Sequence, residues 1–516
     1  MSTTARRRLT IGAATAVSAV LLLAACAPAD SAPDGSSPSG GSVDGPPLSV
    51  ASVSAPNSLD PAQLTDGQQA LVWASIYDTL LTRDNETAEL RPGAAESWEY
   101  NEDGTELTLT LRPDMTFSNG NPVNAEAVAG TMRRTMQTPG IVQPKYALVS
   151  DAVAEDDLTV KVIFTEFDPQ FTWNLALGAG VVADPSTFDS PELTTNPVGS
   201  GPFTLDTAST VPGTSYVLER RDDYRAVEEV PFPKMTVRVL QDPTASFNAL
   251  QAGEVNAASV RAQFADQLDP NSYTFTDISN SSLLFLDILD RGGEKWPALG
   301  DVRVRQAINY ALDRESMVSG IYGGAAEPAE QIFIESGQVY DAELDGQYPY
   351  DPELGKRLVE ESGFAGETFQ IPSTYLTTTI EPTLSQAFAD IGLGLEWVPV
   401  PPQQAQSALT SGDFGLAFQA LGPNSDPADA FYHFAPSGFG NPRGYTNETL
   451  DGFFDVINTT VDFDEALPAY RGLNEYAIEQ AYVAPVVWTS TKWATTDGIE
   501  VIGTAPQTFR IFGYTD

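Results

Sequence analysis

The chain contains one cysteine, Cys26, which closes an N-terminal segment reading MSTTARRRLTIGAATAVSAVLLLAAC. Arg6, Arg7 and Arg8, then an uncharged apolar run, then small residues, make a secretory signal and not a membrane span of the mature protein. With no second cysteine there is no intrachain disulfide and no cysteine-based metal site. Removing residues 1–25 from 516 leaves 491, with no disulfide to hold them together. That length exceeds what one hydrophobic core organises, so two or more domains are expected.

Leu23-Ala24-Ala25-Cys26 resembles the lipobox of bacterial lipoproteins. The resemblance implies cleavage before Cys26, acylation of its thiol and a lipid anchor at the new N-terminus. The three arginines loosely match a twin-arginine signal, so the export route stays open. Residues 27–47, APADSAPDGSSPSGGSVDGPP, have almost nothing to bury and are expected to form a flexible linker behind the lipid. A lipid with such a leash places the folded part on the outer face of a cell membrane, touching the bilayer only through its anchor.

Counting residues removes most chemistries. His433 is the only histidine. A zinc site ordinarily takes several His or Cys ligands, and a Ser-His-Asp triad would have to pass through this one residue without a G-x-S-x-G elbow. No catalytic residue, metal ligand or cofactor is therefore assigned. Paired carboxylates survive the count, so a surface hydrolase stays as an alternative. The net charge is −43, and −46 once the three signal arginines are removed. Such a surface repels nucleic acid and anionic head groups.

Leu107, Leu109 and Leu111 alternate with Thr108 and Thr110, the period of a half-buried strand, entered through the turn Glu102-Asp103-Gly104. Asn119-Gly120 marks a second reversal behind a short strand expected at 115–117. Asn124 is placed to cap a helix with Glu126 in its first turn. Upstream, residues 48–53 alternate as a strand, and residues 68–81 are expected to form a helix carrying Leu71, Ile76 and Leu80. Strands are expected at 158–164 and 235–239, then a helix capped by Asp242-Pro243 and stopped at Gly253. Val304, Ala307, Ile308, Ala311 and Leu312 define an amphipathic helix behind Asp301; Asp313 and Asp351 cap two more, the latter ending at Gly363. Helix 384–391, strand 395–400, a buried strand at 414–421, helix 464–480 and strand 483–488 complete an alternating α/β pattern.

Several of these segments are worded more specifically than periodicity requires. Residues 92–128 read P-x-x-A-E-S-W-E-x-x-x-D-G followed by L-R-x-x-x-x-F-x-x-G-x-P-x-x-A-E-x-V. Residues 197–203 are PVGSGPF, residues 249–256 are ALQAGEVN, and residues 304–318 read V-R-x-A-x-x-x-A-x-D-R-x-x-x-V. In order along the chain, from about residue 48 to 488, this resembles the family 5 extracellular solute-binding proteins, the oligopeptide- and dipeptide-binding receptors of ABC importers. Ser200 stands where the family usually has Thr, and Asn256 where it has Asp.

The resemblance implies an α/β fold, a two-lobed periplasmic-binding-protein-like clamp of the class II type. Lobe one would comprise residues 48–280 with the returning 489–516, including an extra subdomain at about 76–195. Lobe two would comprise residues 281–488, with crossings near 278–282 and 488. The implied function is capture of oligopeptides in the interlobe cleft and delivery to ABC permease subunits served by a separate ATPase. This chain has no P-loop, and a monomer is expected. The alternative within the class is a non-peptide solute such as an oligosaccharide, a metal chelate or an opine-like compound.

Candidate ligand contacts follow from the same resemblance. Asn57 and Ser58 lie in a loop similar to the family's x-x-L-D-P at the cleft edge. Asn424, Asp426, Phe431 and His433 lie in the segment 422–434 at the carboxyl end of a buried strand, where open α/β sheets place ligands. Phe285, Tyr445 and Trp488 complete the set. A histidine between aromatics also reads as a packed core residue. The family's loop commonly resembles D-Y-x-D-P, its first acid pairing with the peptide amine; here Pro423 occupies that acid's place. Residues 197–203 are read as an interlobe corner, and Arg303 and Arg305 as structural ion-pair residues.

Overall fold

Alternating apolar runs build a nine-stranded sheet that extends through both halves of the chain. Its order is Leu416–Leu421, Tyr273–Ile288, Val483–Thr496, Ala257–Val260, Leu48–Ser52, Lys234–Val239, Ser215–Arg220 and Phe203–Leu205, with Ala326–Pro328 paired to Val483–Thr496 off this path. The computed structural model describes residues 45–401, 404–496, 498–503 and 512–514; the signal, Cys26 and the linker up to residue 44 lie outside them.

Two strands carry the chain between halves. Tyr273–Ile288, 16 residues, and Val483–Thr496, 14 residues, pair antiparallel with a register shift between Ile278 and Ser282. Asn280 takes a left-handed φ of 52° at the shift, a conformation Asn tolerates better than most residues. Ser281 Oγ donates to Ile278 O (2.7 Å) and accepts from Thr491 N (3.1 Å), stitching the irregularity. The cores divide at this point. Apolar residues up to Ile278, together with Ala494, Ile499 and Phe512, pack in two clusters, whereas those from Leu283 to Trp488 pack in others. These are the two lobes of the clamp.

Lobe one carries a second, four-stranded antiparallel sheet, Ala95–Tyr100, Glu106–Leu111, Thr159–Phe164 and Val149–Ala154 in that order. Leu107, Leu109 and Leu111 are buried on one face, as their alternation predicts. Asn124 accepts from Ala127 N and caps the helix Ala125–Gln137. Residues 115–117, expected as a strand, make only an isolated bridge between Thr116 and Pro122. Pro122 has no N–H with which to extend a ladder.

The helix expected over 68–81 is also shorter. A 3₁₀ turn Gly67–Gln69 leads into Ala70–Ile76, Tyr77 is extended, and Leu81–Arg83 pairs as a strand with Leu90–Pro92. Gly201 N takes the Ile76 carbonyl at 2.8 Å, so residues 197–203 form a closure inside lobe one and not an interlobe corner. A Cβ on Gly199 would stand 2.1 Å from Ile76 O, which is why glycine is needed there.

Lobe two holds the capped helices Val302–Tyr310, Arg314–Gly320 and Pro352–Ser362, with Asp301, Asp313 and Asp351 accepting from Arg303 N, Ser316 N and Leu354 N. Gly363 is left-handed. Arg303 pairs with Asp301 at 2.6 Å. Arg305, read as an ion-pair residue, donates instead to Leu299 O and Gln480 O and lies over the Tyr482 ring. It faces the C-terminus of Phe463–Glu479, whose last carbonyls require donors.

Candidate functional site

The buried strand Leu416–Leu421 delivers the chain to Ser425, whose Oγ accepts from Ala428 N. With Pro427 in the first turn this starts the helix Asp426–Phe434, so most of the expected loop 422–434 is helical. Ser followed by Asp-Pro is a start signal that local reading can find. The helix and the turn after it face lobe one across a cavity of about 360 Å³.

The lobe-one wall comes from segments far apart in sequence. Trp173 sits in the short helix Phe171–Asn174, flanked by Gln170 and Asn174 at the cavity, and the Arg83 guanidinium lies 5.7 Å from its ring centroid. Asp66 accepts from Lys145 Nζ (2.6 Å) and from Gly178 N (2.9 Å). Opposite them, Asn424, Phe431, Tyr432 and Phe439 form the lobe-two wall.

Charge faces charge across this cleft. Asp429 is 3% exposed and receives Asn424 Nδ2 (3.1 Å) and Asn424 N (3.3 Å). Burial pushes its carboxyl up to about 7, opposed by those hydrogen bonds and by Arg83 from the other lobe. Burial likewise lowers Arg83 to about 10, against the attraction of Asp66 and Asp429. Asp426 points elsewhere: it accepts from Gln338 N and Val339 N and is raised to about 6 by burial.

Of the residues singled out from sequence, Asn424 and Phe431 line the cavity. His433 and Phe285 lie in the core one layer below, ring centroids 5.1 Å apart. Burial, reinforced by Arg291, lowers His433 to about 3, so it is neutral. Tyr445 packs on Tyr482, and Trp488 belongs to the lobe-two core. Asn57 is occupied in its own turn, donating to Gln63 O and accepting from Thr65 Oγ1; Ser58 Oγ accepts from Asp60 N. Cys26 lies outside the described residues. Sequence reasoning missed Arg83, hidden behind the overextended helix, and Trp173, for which a polar and aromatic run after a strand was the signal.

A larger cavity, about 640 Å³, is lined from lobe one only, near Tyr77, Tyr224 and Phe232. Relative movement of the lobes does not enclose it, so the interlobe cavity is the better candidate for the clamp. Among the described residues, no group of three or more His, Cys, Asp or Glu is placed to hold a metal ion, and no helix is long and apolar enough to cross a membrane.

Residues 89–442 match the family described as bacterial extracellular solute-binding proteins, family 5 Middle. Heme-binding protein A of Haemophilus influenzae is 24% identical over 506 residues, covering 90% of this chain and 88% of that one. Glutathione-binding protein GsiB of Shigella flexneri serotype 5b is 25% identical over 461 residues, covering 84% and 86%. Among solved structures, the Helicobacter pylori periplasmic binding protein DppA, in complex with peptide STSA, superposes with a TM-score of 0.74 at 21% identity, covering 90% of this chain and 98% of that one.

Proposed function

The chain belongs to the family 5 bacterial extracellular solute-binding proteins, receptors that deliver a captured solute to an ABC transporter, and we propose that the solute held in its interlobe cleft is a short peptide. The observation that carries this reading is the mixture of amide and aromatic side chains on both walls. Gln170, Asn174 and Asn424 offer donors and acceptors to a peptide backbone, while Trp173, Phe431, Tyr432 and Phe439 offer faces for its side chains. Arg83 lines one wall and suits a peptide's carboxylate end, while Asp429 lies buried behind Asn424 on the other side. A volume of about 360 Å³ fits a small ligand.

A peptide touching both lobes favours the closed form by its differential affinity, and the closed, loaded receptor is what the permease would recognise. The receptor acts as a monomer, leaves the peptide unchanged and is held at the outer face of the cell membrane through a lipid on Cys26. Cys26→Ala should release it into the soluble fraction; retention with the membrane defeats the anchor.

Native mass spectrometry of the full chain, purified gently from rich medium, tests the solute. A ladder of added masses matching short peptides, unaltered after long incubation, is the expected result. One discrete non-peptide mass replaces the peptide with another solute, and masses that shorten with time restore the hydrolase reading.

A further inference from the structure

The lobe-two wall of the cleft does not stand on its own helix alone. Beyond His433 the chain leaves Asp426–Phe434, turns at Gly438 and folds back over the helix end. Gly438 N donates to Ala435 O (2.8 Å), Gly440 N to Tyr432 O (2.9 Å) and Asn441 N to Gly438 O (3.0 Å). A Cβ on Gly438 would meet Phe431 O at 2.3 Å, so the return runs flush against the helix. Phe439 at its tip lies 5.7 Å from the Tyr432 ring, and both line the cavity.

Arg291 lies beneath this turn. Its Nη1 donates to His433 O (2.5 Å), its Nη2 to Gly440 O (3.0 Å) and Asp287 Oδ1 (3.1 Å), and its Nε to Ile288 O (3.0 Å). One planar guanidinium thus ties both ends of the turn to the strand Tyr273–Ile288. Asp287 Oδ2 accepts from Gln419 Nε2 (2.9 Å), and Gln419 Oε1 accepts from Tyr432 OH (3.2 Å). The chain of bonds therefore begins on a cleft residue and returns to the carbonyls that flank it. Asp287 is fully buried and Arg291 is 2% exposed.

We infer that Asp287 and Arg291 are positioning residues of the binding site, fixing the 433–440 turn and with it Phe431, Tyr432 and Phe439 before any solute arrives. A buried ion pair is weak evidence for stability, because desolvation offsets its attraction. A rigid wall is what binding gains from it, since the side chains it orders are no longer ordered at the solute's expense. The inference rests on the interlobe cleft being the solute site.

The test uses the full chain carrying Gln419→Leu or Tyr432→Phe, which cut the bond chain without stranding a buried charge. Hydrogen exchange over residues 438–441 should accelerate at least tenfold in each, and no further in the double variant. Residues 473–477 and 125–137 should keep their protection. Gln419→Leu should also weaken binding of tri-alanine at least fivefold. Unchanged exchange at 438–441 overturns the inference. So does faster exchange with unchanged tri-alanine affinity, which would reduce the network to core packing. A wild-type protein that ignores tri-alanine counts against the peptide reading, and the exchange result then decides the inference by itself.

Discussion

The two walls of the cleft are built by different means. Lobe one assembles its wall from separated segments, around residues 66, 83, 145 and 170–174. It ties them with a partly exposed pair, Lys145 and Asp66, whose side chains are 26% and 27% exposed, and with an arginine over a tryptophan. Lobe two uses one continuous stretch, 424–439, resting on an ion pair from which water is excluded. Pairs reached by water contribute little and rearrange readily, whereas a buried and fully bonded network has one arrangement. Lobe one therefore presents adaptable side chains and lobe two a fixed surface.

The largest expected effect comes from Arg291→Met. The substitution keeps length but leaves Asp287 buried without its partner and removes the donors to His433 O and Gly440 O. Denaturant unfolding should register a loss of about 3–5 kcal/mol, and a loss below about 1 kcal/mol would show the two walls to be equally tolerant. Acidity separates the lobes next. Burial raises Asp287 and Asp426 to about 6 and Asp429 to about 7, all in lobe two, against Asp168 at about 6 in lobe one. An acid whose folded value exceeds its unfolded one binds more protons when folded, so its contribution is full at low pH and is lost as pH rises through the folded value. Lowering pH from 7.5 to 5 should stabilise lobe two by on the order of 5 kcal/mol, about half of it from Asp429. Exposed carboxylates such as Asp103, held below the usual range by Thr105, act in the opposite sense at lower pH. A thermal unfolding profile that is flat, or that rises toward neutrality, defeats this assignment.

Local features were legible where a few residues decide them. Asn124, Asp242, Asp301 and Asp351 cap helices because a side-chain oxygen reaches an N–H two or three residues on. The two-lobed architecture was legible through family wording. What could not be read locally depends on partners far along the chain. The helix from Ala70 stops at Ile76 because Gly201 takes its carbonyl, and that hid Arg83. Asp66 meets Lys145 across 79 residues of sequence. His433 directly follows the cleft residues Phe431 and Tyr432 yet points into the core, because one helical step turns a side chain by about 100°. Once Ser425-Asp426-Pro427 is taken as a helix start, residues 428, 431 and 432 fall on one face and residues 429 and 433 on the other.

A smaller effect belongs to the aromatic on the adaptable wall. Trp173→Ala removes a partly buried ring and the surface over which Arg83 lies. Peptide affinity by calorimetry should fall by about tenfold or more, since large aromatics dominate interface energetics. The change in unfolding free energy should be smaller than for Arg291→Met, because the residue lies at the cleft and not beneath it. Unaltered affinity would move solute contact away from lobe one's wall.

Lys145→Ala probes the same wall at its least costly point. Asp66 keeps the Gly178 N–H, so the turn it anchors persists after the lysine is gone. The pair is wet enough for screening, and its loss should cost under about 1 kcal/mol. Raising salt should destabilise the wild type slightly more than the variant, because only the wild type has this attraction to screen. Should the variant instead lose as much stability as Arg291→Met, a partly exposed pair would be fixing its wall as firmly as a buried one. The difference between an adaptable lobe one and a rigid lobe two would then have no physical basis.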